Sequence, residues 1–408
     1  MNPASVCVLG LGYIGLPTAA TIAAAGHRVL GVDVNPDVVA TINAGGVHFE
    51  EPGLERLVQQ VVATGALRAG SAPEPADVFL VCVPTPLRED SSGRIPDTHH
   101  VADAVRAVAS VLASSNLVVI ESTCPVGTAE AMERELRDLG TPAGEILLAS
   151  CPERVLPGRI LEELRTNDRI IGGINEASSH AAVSFYRTFV SGAVIATDSR
   201  TAEMVKLVEN SFRDVNIAFA NEVSLLSDHT GVDPWEVIRL ANLHPRVSIL
   251  DPGPGVGGHC IAIDPWFLVA EDPDTARLIR TAREVNDAKT TWVTDQIRAE
   301  AEQLSRTIGR PARVACLGLT YKPDVDDLRE SPALKVALAL ADAGIPVLAC
   351  DPHLRSHPSL TLHDPNAAIE GADLVALLVA HREFRELNLD GKRTLDYCGL
   401  ERAAAAGR

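Results

Sequence analysis

The sequence predicts an α/β protein with two doubly wound parallel-sheet domains joined by a central helical segment. Three observations carry this expectation. Through the first half of the chain, short apolar runs of strand length alternate with glycine-bearing turns and helical stretches. The last quarter repeats that text in the same order: RVACLGLTYKP parallels SVCVLGLGYIG, ADAGIPVLACDPH parallels AAAGHRVLGVDVN, and GADLVALLVAH parallels PADVFLVCVP. Between these two regions apolar residues recur at helical spacing instead.

Taken in order, SVCVLGLGYIG reads as a buried strand that enters a glycine-rich turn and then the helix TAATIAAAGH. HRVLGVDVNP is a second strand, ending on Asp33. PADVFLVCVPTP and NLVVIESTCPVGT are further buried strands, each leading into a turn and helical text. TAEMVKLVENSFRDVNIAFANEVSLLSDHTG and DTARLIRTAREVNDAKTTWVTDQIRAEAEQL then read as two long helices, a kind of segment that also offers a surface for dimerisation. The expected division is a Rossmann domain over 1–200, a helical segment over 201–307 and a second Rossmann-like domain over 308–408. The second Rossmann-like domain lacks the third glycine of the turn, so it need not bind a dinucleotide.

Composition narrows the function. The formal charge is −18 and the isoelectric point is near 5.1, which excludes a broad nucleic-acid surface because phosphate backbones demand clustered Lys and Arg. No uncharged apolar run reaches the ~18 residues of a membrane span, and MNPAS leads straight into a strand without a basic leader, so a cytoplasmic protein is expected. The eight cysteines show no CxxC pair and no Cys/His cluster of metal-binding spacing, so no metal is expected. Cys7, Cys82, Cys316 and Cys350 sit in strand-like apolar text and read as small core residues; Cys260 does not.

GLGYIG sets Gly10, Gly12 and Gly15 in GxGxxG spacing between a strand and a helix, with Asp33 at the end of the next strand. The first two glycines allow the tight turn and the approach of a pyrophosphate. The third lets helix pack on strand, and the helix N-terminus favours the anion. An acidic residue at position 33 accepts from a ribose diol and repels a 2′-phosphate, which predicts NAD over NADP.

The segment PGPGVGGHCIAIDP, residues 252–265, places the Cys260 thiol after a glycine-dense run and Asp264 four positions later. In a nicotinamide enzyme a thiol suggests two oxidations. A thiolate adds to the aldehyde of the first, and the resulting thiohemiacetal is oxidised to a thioester that water cleaves. Glycines 255, 257 and 258 would let the backbone lie against the substrate. In KLVENSFRDVN, Lys206, Asn210 and Arg213 fall on one helix face, and the flanking Leu207, Val208, Phe212 and Val215 predict a largely buried helix. Lys206 could stabilise an oxyanion and exchange protons; Asn210 and Asp264 could hold the hydrolytic water. Rival readings are a one-step hydroxyacid dehydrogenase, which has no use for Cys260 or a second α/β domain, and a catalytically silent NAD-binding protein, which has no use for Lys206 and Cys260 together.

These residues together resemble the UDP-sugar dehydrogenases, which oxidise a hexose C6 alcohol to a uronic acid in two NAD-dependent steps. The resemblance runs the length of the chain through GLGYIGLP, VCVPTP, ESTCPVGT, CPERVLPG, KLVENSFRDVN, GVGGHCIAIDP and YKPDVDDLRESPA. It implies that Cys260 is the nucleophile and Lys206 the proton donor or acceptor. Tyr13, Ile14, Asp33, Thr85 and Thr123 would line the NAD site, with Arg329 reaching toward the cofactor as a cleft closes. Arg154, Val155, Lys206, Asn210, Arg213, His244, Arg246 and Gly257 would contact the sugar nucleotide, joined by Tyr321 and Lys322 of the C-terminal UDP-sugar-binding domain. The family's dimeric habit implies a homodimer in which His244 and Arg246 serve the neighbouring subunit's site. CPERVLPG, HPRVSI and GGHCIAIDPWFLV follow the N-acetylhexosamine branch. The glucose branch carries a glutamate at the position of Pro157, Ser-Cys or Tyr-Cys for His259-Cys260, and Lys for Ile263. The implied substrate is UDP-N-acetyl-D-mannosamine, with its gluco and galacto epimers, or UDP-glucose, as alternatives. The missing glutamate shifts water activation onto Asp264, Asn210 or Lys206.

Overall fold

A computed structural model describes residues 3–90, 93–141 and 146–401; the ends of the expected first and third domains, 1–2 and 402–408, lie outside the described residues. The chain divides into two compact units, Met1–Glu209 with Trp266–Glu271, and Asn210–Pro265 with Asp272–Arg408.

In the first unit β1 (Ser5–Leu9), β2 (Arg28–Val32), β3 (Leu67–Gly70) and β4 (Val78–Val81) are followed by a small antiparallel hairpin, β5 (Leu87–Asp90) and β6 (Gly93–Pro96). Then come β7 (Leu117–Ile120), β8 (Leu147–Ser150), β9 (Arg169–Gly173) and β10 (Val194–Asp198). All but the hairpin join one sheet in the order β10-β9-β8-β7-β4-β1-β2-β3. Strand direction alternates side chains between the sheet's faces. Val6 and Val8 therefore enter one apolar cluster and Cys7 and Leu9 the other. A fully buried aliphatic side chain such as Val8 or Leu80 contributes about 1.5–3 kcal/mol. The order reverses at β1, which lies between β4 and β2, so the carboxyl ends of β1 and β4 form the crevice where open α/β sheets bind ligands.

The sheet departs from the all-parallel expectation at one place: β9 runs antiparallel to β8, and β10 follows β9. The reason is local. After β8 the chain traces CPERVLPG and the short helix Ile160–Thr166, then re-enters the sheet from the edge it left, without the crossover a parallel neighbour requires. The CPERVLPG loop thereby leaves the sheet from the carboxyl end of β8.

The second unit has a four-stranded parallel sheet of β11 (Val314–Leu317), β12 (Val347–Cys350), β13 (Leu374–Leu377) and β14 (Arg393–Asp396), ordered β12-β11-β13-β14. This is the β2-β1-β4-β7 order of the first unit, as the repeated text predicts. The likeness extends to the turn. Gly10 N–H donates to Val32 O at 2.8 Å and Gly318 N–H to Cys350 O at 2.8 Å. Asp33 Oδ2 accepts from Leu11 N–H at 2.9 Å, and Asp351 Oδ2 from Leu319 N–H at 2.7 Å. The turns diverge afterwards: a helix starts at Gly15 after β1, whereas after β11 the chain runs on to a helix at Pro332–Asp342.

Helices Ser199–Thr230 and Arg277–Ile308 realise the two long helical stretches. The first corrects the expectation of a largely buried apolar surround. Lys206 and Asn210 are buried, whereas Val208 and Phe212 are exposed, Phe212 by 67%. The helix turns polar groups inward and carries an outward apolar stripe, because its inner face meets other buried polar side chains. Asp214, on that inner face, pairs with Arg283 at 2.7 Å and with Asn286 at 2.8 Å. Among the described residues no helix is long and apolar enough to cross a membrane.

Candidate active site

At the β1 turn the three glycines have separable reasons. Gly10 has φ +87°, and a Cβ there would lie 2.7 Å from Cys82 O; a Cβ on Gly15 would lie 1.8 Å from Gly10 O. Both are forced by the protein's own backbone. A Cβ on Gly12 would meet nothing within 4 Å, so that glycine keeps open the space a pyrophosphate would enter, at the start of helix Gly15–Ala24. Asp33 follows β2; its Oδ2 holds Leu11 N–H and its Oδ1 Asn35 N–H at 2.9 Å. Each oxygen has a second lone pair, so the fixed carboxylate can still accept from ribose hydroxyls. Tyr13 is steadied by stacking on Phe49, ring centroids 4.3 Å apart, and Ile14 beside it is half-buried. Thr85 and Thr123, beyond neighbouring β4 and β7, are tied by Thr85 Oγ1 donating to Thr123 O at 2.7 Å. The turn fits a dinucleotide: room at Gly12, a helix N-terminus and a positioned carboxylate.

The Cys260 loop belongs to the second unit, and its glycines are pressed by the protein's own chain. A Cβ on Gly255 would lie 2.3 Å from Thr290 Oγ1, one on Gly257 2.7 Å from Glu330 O and 2.8 Å from Tyr321 Cβ, and one on Gly258 2.9 Å from the Tyr321 ring. The close approach is made by the protein's own chain, which clamps the loop. Hydrogen bonds complete the clamp. Asn221 Oδ1 accepts from Gly253 N–H at 2.9 Å, Thr290 Oγ1 donates to Pro254 O at 2.9 Å, and Gly258 N–H donates to Arg329 O at 2.9 Å. Asn221 Nδ2 in turn donates to the buried Asn286 Oδ1 at 2.8 Å. Past the clamp Cys260 is half-buried, and its carbonyl accepts from Ile263 and Asp264 N–H at 3.0 and 2.8 Å, turning the chain into helix Asp264–Glu271. Sequence reasoning missed Asn221, Thr290 and Asn286; only their place on long amphipathic helices was visible.

Two predicted residues meet here. Asn210 Nδ2 donates to Asp264 Oδ2 at 2.5 Å, both side chains buried. Lys206 lies one turn before Asn210 on the same helix, 8% exposed. Gly257 and Tyr321 are also in contact, and the Lys322 ammonium lies 5.7 Å from the Tyr321 ring centroid. Arg329 binds Asp327 with Nη2 at 2.6 Å; burial opposes ionisation of that carboxyl, but the guanidinium holds it below its usual range. Arg213, His244 and Arg246 are exposed, and among the described residues Arg213 and Arg246 make no ion pair.

In the CPERVLPG loop Arg154 binds Glu209 at 2.6 Å, and Val155 beside it is half-buried. Glu153, also unremarked in sequence reasoning, forms a buried ion pair with Arg169 at the start of β9, fixing the loop to the sheet edge. In the second unit Asp324, His353, His381 and Glu383 cluster, and His381 braces the chain around it. His381 Nδ1 accepts from Asp324 N–H at 3.0 Å, which leaves the proton on Nε2 to face Asp351 Oδ2 at 3.2 Å. Burial opposes ionisation of Asp351, yet His381 and the Leu319 N–H hold its carboxyl below the usual range.

The two related sheets and the fitted turn define an NAD-binding α/β protein. The chain belongs to the UDP-glucose/GDP-mannose dehydrogenase family: its NAD binding domain, central domain and UDP binding domain match residues 4–190, 200–288 and 315–397. NAD is the cofactor. The chain is 49% identical over 409 residues to the UDP-N-acetyl-D-mannosamine dehydrogenase of Escherichia coli, covering 96% of each. It is equally 49% identical over 400 residues to the NDP-N-acetyl-D-galactosaminuronic acid dehydrogenase of Ralstonia nicotianae, covering 95% of this chain and 93% of that one. Among solved structures it resembles the UDP-D-ManNAc dehydrogenase of Pyrococcus horikoshii, with TM-score 0.89, 40% identity, and 97% and 96% of the chains covered.

Proposed function

We propose that the protein oxidises the C6 alcohol of UDP-N-acetyl-D-mannosamine to UDP-N-acetyl-D-mannosaminuronate in two steps, through a thiohemiacetal and a thioester on Cys260. The clamped glycine loop carries this reading, because it fixes a half-buried thiol beside a buried Asn210–Asp264 pair. NAD would accept one hydride per molecule, so two molecules bound in turn would serve the two steps. Lys206 takes the hydroxyl proton and stabilises the oxyanion at C6. The Cys260 thiolate adds to the aldehyde carbon, and after the second oxidation it leaves as water attacks the thioester. Asp264, oriented by Asn210, holds that water and receives its proton. One alcohol and one water thus yield one carboxylate, with four electrons accepted in two pairs.

The diphosphate needs local cations in an acidic chain, and Arg213, Arg246 and Lys322 would supply them, with Arg154 supporting the loop that carries Val155. Overall identity does not separate manno from galacto relatives, so the manno choice rests on the CPERVLPG and HPRVSILDPGPGVGGHC text. A homodimer is supported by the exposed apolar stripe of Phe212, Phe219 and Leu226 with Leu240 and Leu243 nearby in sequence, because exposed apolar surface of this kind marks a protein-interaction site. Eight free thiols are consistent with work in the reducing cytoplasm.

The test is Cys260→Ser. It should form no uronate from the alcohol substrate while binding NADH normally. Full turnover by this variant would remove the thiol from the chemistry.

A further inference from the structure

In the first unit a groove of about 620 Å³ opens between helices Gly15–Ala24, Leu54–Ala63 and Ile160–Thr166. It lies at the trailing end of helix Gly15–Ala24, whereas the dinucleotide turn lies at that helix's start, so the reaction described above makes no use of it. Its volume is that of a small-molecule site. Leu161, Phe189 and Val190 give it an apolar lining, Phe189 and Val190 being buried.

The charged groups around that lining share one sign. Arg56 and Arg165 both face the groove, and among the described residues neither side chain makes an ion pair or hydrogen bond. In a chain of charge −18, two arginines on one groove without a carboxylate are an unusual pairing, and each presents a forked donor set suited to an oxyanion. Helix Leu54–Ala63 begins at Gly53 on the groove's rim, with no side chain capping its first N–H groups. Independently of these charges, Thr21 lines the groove at 5% exposure, and its Oγ1 has no hydrogen-bond partner. A buried hydroxyl without a partner costs free energy that a ligand oxygen would relieve.

We infer that this groove binds a small organic oxyanion, a phosphate monoester or carboxylate on an apolar body. The oxyanion would sit between Arg56 and Arg165, and the body on Leu161, Phe189 and Val190 with the Thr21 hydroxyl bonded.

The experiment is calorimetric titration of the full-length protein with phenyl phosphate, NADH and UDP being present at saturation so that both nucleotide sites are filled. One equivalent should bind, with inorganic phosphate at least about tenfold weaker because it leaves the apolar lining uncovered. Arg56→Ala/Arg165→Ala should weaken phenyl phosphate by at least about tenfold while leaving NADH binding intact, and Thr21→Val should weaken it to a lesser degree. Absence of binding, equal affinity for inorganic phosphate, or undiminished binding by the arginine double variant would each overturn the inference.

Discussion

Gly257→Ala is the sharpest test of the clamped loop. The added methyl would sit 2.7 Å from Glu330 O, 2.8 Å from Pro332 Cδ and 2.8 Å from Tyr321 Cβ. None of these is the free end of a flexible side chain, so the loop itself must yield. Overpacking of this kind costs about 1–3 kcal/mol. Cys260 is three residues further on, and a displacement near 1 Å at a reacting group can cost about a hundredfold in rate. If the strain appears in the barrier, kcat should fall between about tenfold and a hundredfold, with a much smaller change in KM for NAD. Gly253→Ala is the internal control. Its nearest non-neighbour atom would be Gly255 O at 3.8 Å, an ordinary contact, so activity should stay within about twofold of the parent. Steady-state NADH production and the alkylation rate of Cys260 by iodoacetamide would be measured on both variants. Near-parental kcat in Gly257→Ala, or equal damage in Gly253→Ala, would refute the clamp.

Asp33→Ala removes both the proposed ribose acceptor and the brace on Leu11 N–H; NADH affinity by fluorescence titration should fall at least about tenfold and preference over NADPH should narrow, whereas unchanged preference would contradict the turn's assignment. Lys289 is buried, donates to Ser224 Oγ at 2.7 Å and lies over Trp292; burial lowers its pKa from 10.5 to about 8, with Asp228 opposing. The unfolded chain therefore holds a proton that the folded chain releases, so Lys289 makes stability rise from about pH 8 to about pH 10.5. Lys289→Met should remove that rise and stabilise the protein at neutral pH by up to about 3 kcal/mol in urea unfolding; a slope that persists would place it on another group. Phe219, 55% exposed, lies on the apolar stripe, and in the proposed homodimer Phe219→Asp should leave a monomer in light scattering. A dimer that survives this change is held elsewhere.

Much of the fold was legible because buried parallel strands announce themselves as continuous apolar runs, and the chain writes the strand–turn–helix theme twice. The reversed direction of β9 was not legible, since an apolar run such as RIIGG reads alike in either direction. Nor was the inside-out helix Ser199–Thr230: periodicity shows that it has two faces, and burying Lys206, Asn210 and Asp214 while exposing Phe212 depends on what packs against it. In the site, Asp33 and Cys260 stand out by type and spacing. The supports do not: Asn221 and Thr290 act on the Cys260 loop across long sequence separations, as Glu153 acts with Arg169 on its own loop. The glycines were visible, but what presses on them became clear only when Tyr321 and Thr290 were seen against the loop.

The central claim is a double oxidation through one thiol, and the ratio of NADH formed to sugar nucleotide consumed tests it most directly. UDP-N-acetyl-D-mannosamine should give two NADH per molecule with no released aldehyde, and its gluco and galacto epimers should give little at equal concentration. Two NADH from another epimer would keep the mechanism and move the specificity. One NADH per sugar, with the aldehyde accumulating, would contradict the thioester route.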